Sequence, residues 1–113
     1  LHHHPVPVGC EWIEPIGLRN ASEFWKVLDR YPQVRGVLWG HVHQEFDQHR
    51  NGVRLLASPS TCVQFTPASP DFKVSSEAPG YRWLRLQPDG TLQTGVSRIP
   101  DFVFEPDYSA NNY

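Results

Sequence analysis

The fold of this chain is decided by the stretch Gly36-Val37-Leu38-Trp39-Gly40-His41-Val42-His43. Its short apolar run, bounded by Pro32 and Gly40, is typical of a buried strand. Gly40 would allow the backbone to leave this strand at low steric cost. His41 and His43 are two residues apart, so both can project from one side of the turn. Ligands of open α/β sheets bind at the carboxyl ends of strands, and we therefore expect a site here rather than two histidines in a polar loop.

A helix is expected immediately before this strand. Asn20 and Glu23 have the spacing of a capping box, in which each side chain satisfies a backbone N–H of the first turn. Apolar residues then recur at helical spacing and are expected to face the core, namely Phe24, Val27, Leu28 and Tyr31. Tyr31-Pro32 ends the helix, and residues 34–39 form the strand.

After the histidines the pattern changes to a period of two. Two β-hairpins are predicted, with turns at Asn51-Gly52 and Pro88-Asp89-Gly90. Their strands cover residues 44–48, 53–57, 81–86 and 91–99. Residues 9–19 and 62–79 are expected to form irregular loops, in keeping with the eleven prolines of the chain. The sequence therefore predicts an α+β protein, mostly β with one clear helix.

The composition excludes several classes of protein. The 113 residues carry a net charge of −2 without a run of Lys or Arg, so neither a nucleic-acid polymer nor an anionic membrane is expected as a partner. No apolar stretch approaches the roughly twenty residues that span a bilayer, and we recognise no signal-peptide pattern. Cys10 and Cys62 lack a Cys-x-x-Cys partner, which excludes a zinc ribbon and favours reduced thiols in a cytoplasmic protein.

The histidines predict a metal site built from two segments of the chain. His3 or His4, together with His41 and His43, would supply three neutral imidazoles, which are good ligands for zinc, iron and related metals. Such a set can form a mononuclear zinc site with one open position. Side chains of an extended segment alternate in direction, so His2 and His4 would point away from His3 and serve as surface or supporting histidines.

The sequence offers few oxygen ligands near these histidines. Glu45 and Asp47 lie on the departing hairpin, where either carboxylate could orient a ligating ring. A site for two ions about 3.5–4 Å apart would need more oxygen ligands than these.

Two motifs resemble those of a known superfamily. His3-His4-Pro5 followed by Gly40-His41-Val42-His43 is similar to the last two motifs of the calcineurin-like metallophosphoesterases. Within that superfamily, nearly all of the chain resembles the bacterial 3′,5′-cyclic AMP phosphodiesterases. The segments that carry this resemblance are Leu1-His2-His3-His4-Pro5-Val6-Pro7-Val8-Gly9-Cys10, Trp12, Leu18-Arg19-Asn20, Gly40-His41-Val42-His43-Gln44-Glu45 and Ser58-Pro59-Ser60-Thr61-Cys62-Val63-Gln64-Phe65.

The resemblance implies a two-sheet β-sandwich flanked by helices, with a dinuclear metal centre at the carboxyl ends of its strands. Members of the family begin with Asp-x-His, Gly-Asp and Gly-Asn-His-Asp/Glu motifs. The last two do not occur here, and the one Asp-x-His tripeptide, Asp47-Gln48-His49, follows the histidine motif instead of preceding it. Residues 1–100 are therefore expected to be the carboxyl-terminal half of such a domain, with the missing amino-terminal half as its partner. Residues 101–113 are expected to be a partly disordered tail. Apolar surface left uncovered by the missing half could produce a homo-oligomer.

The resemblance also implies which residues bind the metals. The His-x-Pro histidine falls on His3, which would share one ion with His41, while His43 would bind the other. His4 is the alternative to His3, because three consecutive histidines leave the register open by one residue. The cofactors implied are two divalent or mixed-valence ions of iron, manganese or zinc. No catalytic residue beyond these ligands is expected in this half.

The activity implied is hydrolysis of cyclic AMP to 5′-AMP, by the intact enzyme and not by the isolated 113 residues. Trp12 could stack on the base or simply pack, and Asn20 could bind phosphate or a base edge or only cap the helix. Thr61 and Gln64 would lie at the rim of the site. Cys62 would be a small buried apolar residue.

Two other classes of function stay open. The chain could be a non-catalytic domain that binds one metal ion through three histidines, and metal would then bind without turnover. It could also be a structural β-rich domain whose histidines bind nothing, and chelators would then leave its stability unchanged.

Overall fold

The computed structural model describes residues 1–103 and 105, and within them the chain is mostly β with one α-helix. The elements are α1 (Ala21–Leu28), β1 (Gly36–Trp39), β2 (Phe46–Arg50), β3 (Val53–Ala57), β4 (Gln64–Phe65), β5 (Val74–Ser75), β6 (Gly80–Leu86) and β7 (Leu92–Arg98), with a single 3₁₀ turn at Glu14–Ile16. This confirms the predicted α+β class. No helix of the described part is long and apolar enough to cross a membrane. Most of the predicted tail, residues 104 and 106–113, lies outside the described residues.

The strand that precedes the histidines belongs to a three-stranded sheet of order β1-β3-β2. Asn51 and Gly52 join β2 to β3 with φ values of 49° and 78°. A two-residue turn that matches the right-handed twist of its strands requires positive φ at both residues. The first predicted hairpin is therefore confirmed. β1 pairs with β3 in parallel, with Trp39 opposite Ala57. This sheet therefore places the end of β1 beside the end of β3.

The remaining strands form two smaller antiparallel pairs. The second predicted hairpin is confirmed as β6–β7, with Gly80 opposite Arg98 and Leu86 opposite Leu92. The prediction of an irregular loop over residues 62–79 is wrong in part, because β4 and β5 pair within it. The long loop at residues 9–19 contains the 3₁₀ turn, in which the N–H of Gly17 donates to the carbonyl of Glu14 over 3.1 Å.

Helix α1 faces the core through a residue that the apolar periodicity did not indicate. Its one buried side chain is Trp25, whose Nε1 donates to the Pro5 carbonyl over 2.9 Å. The predicted core stripe is confirmed for Phe24 and Leu28, which are partly buried and pack against the core. It is wrong for Val27, which is 52% exposed, and for Tyr31, which lies beyond the end of the helix and is 51% exposed. An indole that buries its ring and satisfies its N–H contributes more to packing than the shorter side chains beside it.

The predicted capping box of α1 is also wrong. The Asn20 side chain makes no capping hydrogen bond. Glu23 instead accepts a hydrogen bond from the hydroxyl of Ser22, at 2.9 Å. The helix therefore begins without the reciprocal pair, and its packing through Trp25 holds it in place.

The β6–β7 hairpin is fastened to the three-stranded sheet by the buried guanidinium of Arg82. Its Nε donates to the carbonyl of Ala57 over 2.9 Å, and its Nη2 donates to the carbonyl of Phe46 over 3.1 Å. One side chain thus joins the last residue of β3 to the first residue of β2. The loop that carries the histidines leads into β2 at this point.

Candidate metal centre

The loop after β1 holds its two histidines in an unusual backbone conformation. The N–H of Val42 donates to the carbonyl of Gly40 over 2.7 Å, and His41 between them has a φ of 66°. This is the rare form of three-residue turn, and His43 follows with a φ of 48°. The expectation that Gly40 supplies the turn is wrong, because the left-handed residues are the histidines. Such strain persists where the surroundings enforce it, which is most often at functional sites.

Three imidazole rings meet at this turn. The centroid of the His41 ring lies 4.7 Å from that of His3 and 4.8 Å from that of His2, and the His2 and His3 centroids are 4.9 Å apart. One ring nitrogen from each of these histidines lies within 4.8 Å of the others. Among the described residues, this group of candidate ligands leaves out His4 and His43.

The orientation predicted for His2 is wrong. Residues 1–6 are not extended, because the backbone bends at His3 and again at residues 5–6. The bend turns the rings of neighbouring residues towards each other, so His2 and His3 make an edge-to-face contact. Alternation of side chains holds only for an extended strand, and no local pattern other than the prolines indicates this bend.

His41 is neutral and has a free ring nitrogen. Burial, together with the neighbouring histidines, lowers the pKa of His41 to about 4, so the imidazole carries no proton charge at neutral pH. Its Nε2 is buried and has no hydrogen-bond partner among the described residues. A neutral ring with an unpaired buried nitrogen is the state in which histidine binds a metal ion.

His43 lies apart from this group but is also held as a ligand would be. Its ring stacks on Phe65 with a centroid separation of 4.3 Å and bonds to the backbone of Val63. Burial lowers the pKa of His43, and its Nδ1 is buried without a partner. Metal-binding histidines commonly have one ring nitrogen fixed by a backbone carbonyl and the other free.

His4, the alternative to His3, is buried beside a carboxylate instead of joining the three rings. Its Nε2 lies 3.6 Å from Oε2 of Glu14, which is too long for a hydrogen bond but close enough for an ion pair if the ring is protonated. Burial lowers the pKa of His4 by more than Glu14 raises it, so the ring stays neutral. The His4 ring is nearly parallel to that of His41, at a centroid separation of 6.2 Å.

Glu14 is the carboxylate that lies beside His4, and no sequence pattern indicated it. Its Oε1 accepts hydrogen bonds from the backbone N–H groups of Val8 at 2.7 Å and Gly9 at 2.8 Å. Glu45 and Asp47, which were expected to orient a histidine, pair with arginines: Glu45 lies 3.8 Å from Arg98, and Asp47 lies 2.7 Å from Arg54. That expectation is wrong because both carboxylates pair with arginines, Asp47 from β2 and Glu45 from the position just before it.

The candidate substrate residues are spread over three regions and stay predictions. Trp12 packs edge-to-face on Phe65, at 5.2 Å, and its Nε1 is buried without a partner. Asn20 lines an apolar groove beside α1, and Thr61 lines a different one beside β6.

Two further residues differ from expectation. Gln64 is fully buried, and its side chain bonds to the backbone of Ser60 and Cys62. Cys62 is exposed, whereas Cys10 is the buried thiol, which contacts the carbonyl of Ser69. The bend at residues 60–62 directs the Cys62 side chain outwards. The position of Cys62 close to a strand in the sequence does not indicate this direction.

The donor set fits a first-row metal ion. Neutral imidazoles suit zinc, iron and related ions, and three of them with one open position form a known class of zinc site. The group of three contains no carboxylate among the described residues, so these ligands fit one ion better than two.

Comparison with known proteins gives relatives along the whole chain. The chain is 61% identical over 113 residues to a 3′,5′-cyclic adenosine monophosphate phosphodiesterase of Pseudomonas aeruginosa, covering all of this chain and 42% of that protein. It is 51% identical over the same length to the protein of that name in Escherichia coli K12, covering 41% of it. It is 49% identical over 100 residues, 88% of this chain, to 38% of a 3′,5′-cyclic-nucleotide phosphodiesterase of Nostoc. The chain thus spans about two fifths of the length of these relatives.

Two other comparisons add little. No protein-family model matches the chain. Among solved structures, a single mutant of Vps29 from Entamoeba histolytica is similar over 85% of this chain and 52% of its own, with 20% identity and a TM-score of 0.34. A likeness at that level bears on neither fold nor function.

Proposed function

We propose that this chain belongs to the family of the bacterial 3′,5′-cyclic AMP phosphodiesterases and is the histidine-bearing part of a metal-dependent enzyme that hydrolyses cyclic AMP to 5′-AMP. The observation that carries the proposal is the 61% identity over all 113 residues to a protein of that name. The cluster of neutral imidazoles at the end of β1 supports it, because it offers ligands for a hydrolytic metal.

The metal ligands of the active enzyme come from two parts of the protein. His3 and His41 would hold one ion and His43 the other, while the remaining ligands would come from the part of the relatives' length that this chain does not span. When bound, a pair of iron, manganese or zinc ions supplies Lewis acidity and lowers the pKa of water.

The residues of this chain prepare the ligands and bind the substrate. Burial keeps His41 neutral, and the bond to Val63 and the stack on Phe65 fix the ring of His43. Trp12 is proposed to stack on the base, and Asn20 and Thr61 to border the nucleotide. Hydrolysis breaks the bond between phosphorus and the 3′-oxygen, adds the oxygen of water to phosphorus, and leaves the proton on the 3′-hydroxyl. The substrate and the two free thiols favour a cytoplasmic protein.

A second candidate function is a metal-binding domain without catalysis. The observation that favours it is that three histidines meet without a carboxylate, which is sufficient for one ion but not for a two-ion mechanism. The two functions differ in whether cyclic AMP is turned over when the rest of the relatives' length is present.

A chimera tests the proposal. In the Pseudomonas aeruginosa relative, the matched segment is replaced by this chain, and release of 5′-AMP from cyclic AMP is measured. We expect hydrolysis by the chimera and its loss in His41→Asn, because Asn tolerates the left-handed backbone but offers no imidazole. His49→Ala is the matched control, since it removes an exposed histidine of β2. A folded chimera without activity, or full activity in His41→Asn, contradicts the proposal.

A further inference from the structure

We propose that His2 is a direct metal ligand, and that His2, His3 and His41 together form a three-histidine site that this chain offers by itself to one zinc ion. The resemblance to the family assigned no role to His2 and gave His43 one of the metals. The role of the ion in catalysis rests on the proposed function, whereas the binding of the ion does not.

The distances are short enough for the three rings to close on one ion. Their candidate nitrogens lie within 4.8 Å of one another. Tetrahedral zinc with bonds of about 2.05 Å places its nitrogen ligands about 3.3 Å apart. Each ring therefore has to move by about 1 Å or less, and His2 and His3 are exposed side chains that can do so.

Two independent features of His41 point to a ligand at this position. Its Nε2 is buried and lacks a hydrogen-bond partner, which leaves a polar atom unsatisfied. Its backbone is held at a φ of 66° by the turn that closes from Val42 to Gly40. The unpaired nitrogen and the strained turn each cost free energy. A bound ion would satisfy the nitrogen and stabilise the turn.

The donor set determines which ion is taken. The group consists of imidazoles alone among the described residues. The carboxylate of Glu14 lies beside His4, outside the group, and accepts hydrogen bonds from the backbone N–H groups of Val8 and Gly9. Neutral nitrogen ligands favour zinc, nickel and cobalt over manganese, which prefers oxygen. Three ligands leave a fourth position, and the exposure of His2 and His3 opens it to water.

The test is a titration of the 113-residue chain with Zn²⁺ against a chromophoric chelator, and with Co²⁺ to read the coordination number from its visible absorption. Loss of a residue that only orients a metal ligand typically weakens metal binding by about 10–100-fold. Loss of a ligand itself costs more, so we expect His2→Ala to weaken Zn²⁺ binding by at least about 100-fold. His3→Ala and His41→Asn are expected to do the same. His43→Asn and the control His49→Ala are expected to leave Zn²⁺ affinity unchanged, and Mn²⁺ is expected to bind far more weakly than Zn²⁺.

Three results would overturn the inference. They are a parent chain that binds no Zn²⁺, a His2→Ala variant that binds as tightly as the parent, and a His43→Asn variant that loses as much affinity as His2→Ala. Circular dichroism of each metal-free variant checks its fold, and His2→Asn provides a second variant at this exposed position. If any of these three results is obtained while the chimera still hydrolyses cyclic AMP, the three-histidine site is disproved and the proposed function is retained.

Discussion

Replacing Arg82 with Met tests how the second hairpin is held on the sheet that carries the histidines. The Arg82 side chain is only 1% exposed. Besides its bonds to the carbonyls of Ala57 and Phe46, its Nη1 donates to the hydroxyl of Thr94 over 3.2 Å. Burial lowers the pKa of Arg82, and nearby Asp47 offsets part of that effect. The guanidinium stays charged because its ordinary pKa is above 12.

The magnitude follows from these contacts. A hydrogen bond to a charged group contributes about 1.5–3 kcal/mol, so losing the two to backbone carbonyls costs about 3–6 kcal/mol. Met fills much of the same volume and removes the cost of burying a charge, which returns about 1–3 kcal/mol. We therefore expect Arg82→Met to lower the free energy of unfolding by about 3 kcal/mol. At about 4 °C per kcal/mol for a chain of this size, the midpoint of thermal unfolding falls by about 12 °C.

The assay is urea unfolding at low protein concentration, followed by tryptophan fluorescence, because Trp39 is buried in the core. The matched control is Arg85→Met, which removes an exposed arginine from the same strand and is expected to change stability by less than about 0.5 kcal/mol. The account of Arg82 is refuted if its variant has the urea midpoint and slope of the parent, or if Arg85→Met is equally destabilised.

Three further predictions follow from the structure. The 113 residues alone are expected not to release 5′-AMP from cyclic AMP, because the three-histidine group contains no carboxylate from the described residues to bridge two ions. Measurable turnover that a chelator stops would disprove this. The apolar groove that includes Leu84 and Leu86 is expected to drive self-association, so Leu86→Gln should shift sedimentation towards the monomer. Arg54 lowers the pKa of Asp47 in the folded chain, so this stabilisation is complete above the unfolded value of about 3.9 and is lost as pH falls through the lower folded value. The urea midpoint of the parent should therefore drop more between about pH 5 and pH 3 than that of Asp47→Asn, and equal drops would count against the pair.

The sequence predicted the features that depend on neighbours along the chain. The hairpin at Asn51-Gly52 follows from two residues that both accept a positive φ. The second hairpin, β6–β7, follows from alternation on either side of a turn. The strand that ends at Trp39 follows from a short apolar run bounded by a proline and a glycine. In each case the signal lies within a few residues of the structure that it specifies.

The sequence failed where distant segments determine the structure. Arg82 reaches carbonyls that are 25 and 36 positions away, and no local pattern marks it among the arginines. Trp25 is the buried residue of α1 because its indole donates to the carbonyl of Pro5, far away in the sequence. The apolar periodicity of the helix could not indicate this contact. Glu14 organises its loop through backbone N–H groups, which have no sequence signature.

The candidate site was predicted in location but not in detail. The histidine motif after β1 is local, and it correctly indicated where imidazoles would gather. Which of the first three histidines face His41 depends on a backbone bend at His3, and the direction of a side chain reverses with each residue. The spacing therefore placed the cluster at this end of the strand, but it offered His4 as the alternative to His3 and did not indicate His2.

The most direct test of the account is the metal dependence of cyclic AMP hydrolysis by the chimera. The chimera is stripped with a chelator, its metal content is measured, and hydrolysis is followed before and after manganese, iron or zinc is added back. Because water at neutral pH needs an ion to become a strong nucleophile in such a site, we predict that the stripped protein is inactive and that at least one metal restores the rate. A metal-free chimera that hydrolyses cyclic AMP at the original rate would contradict the account.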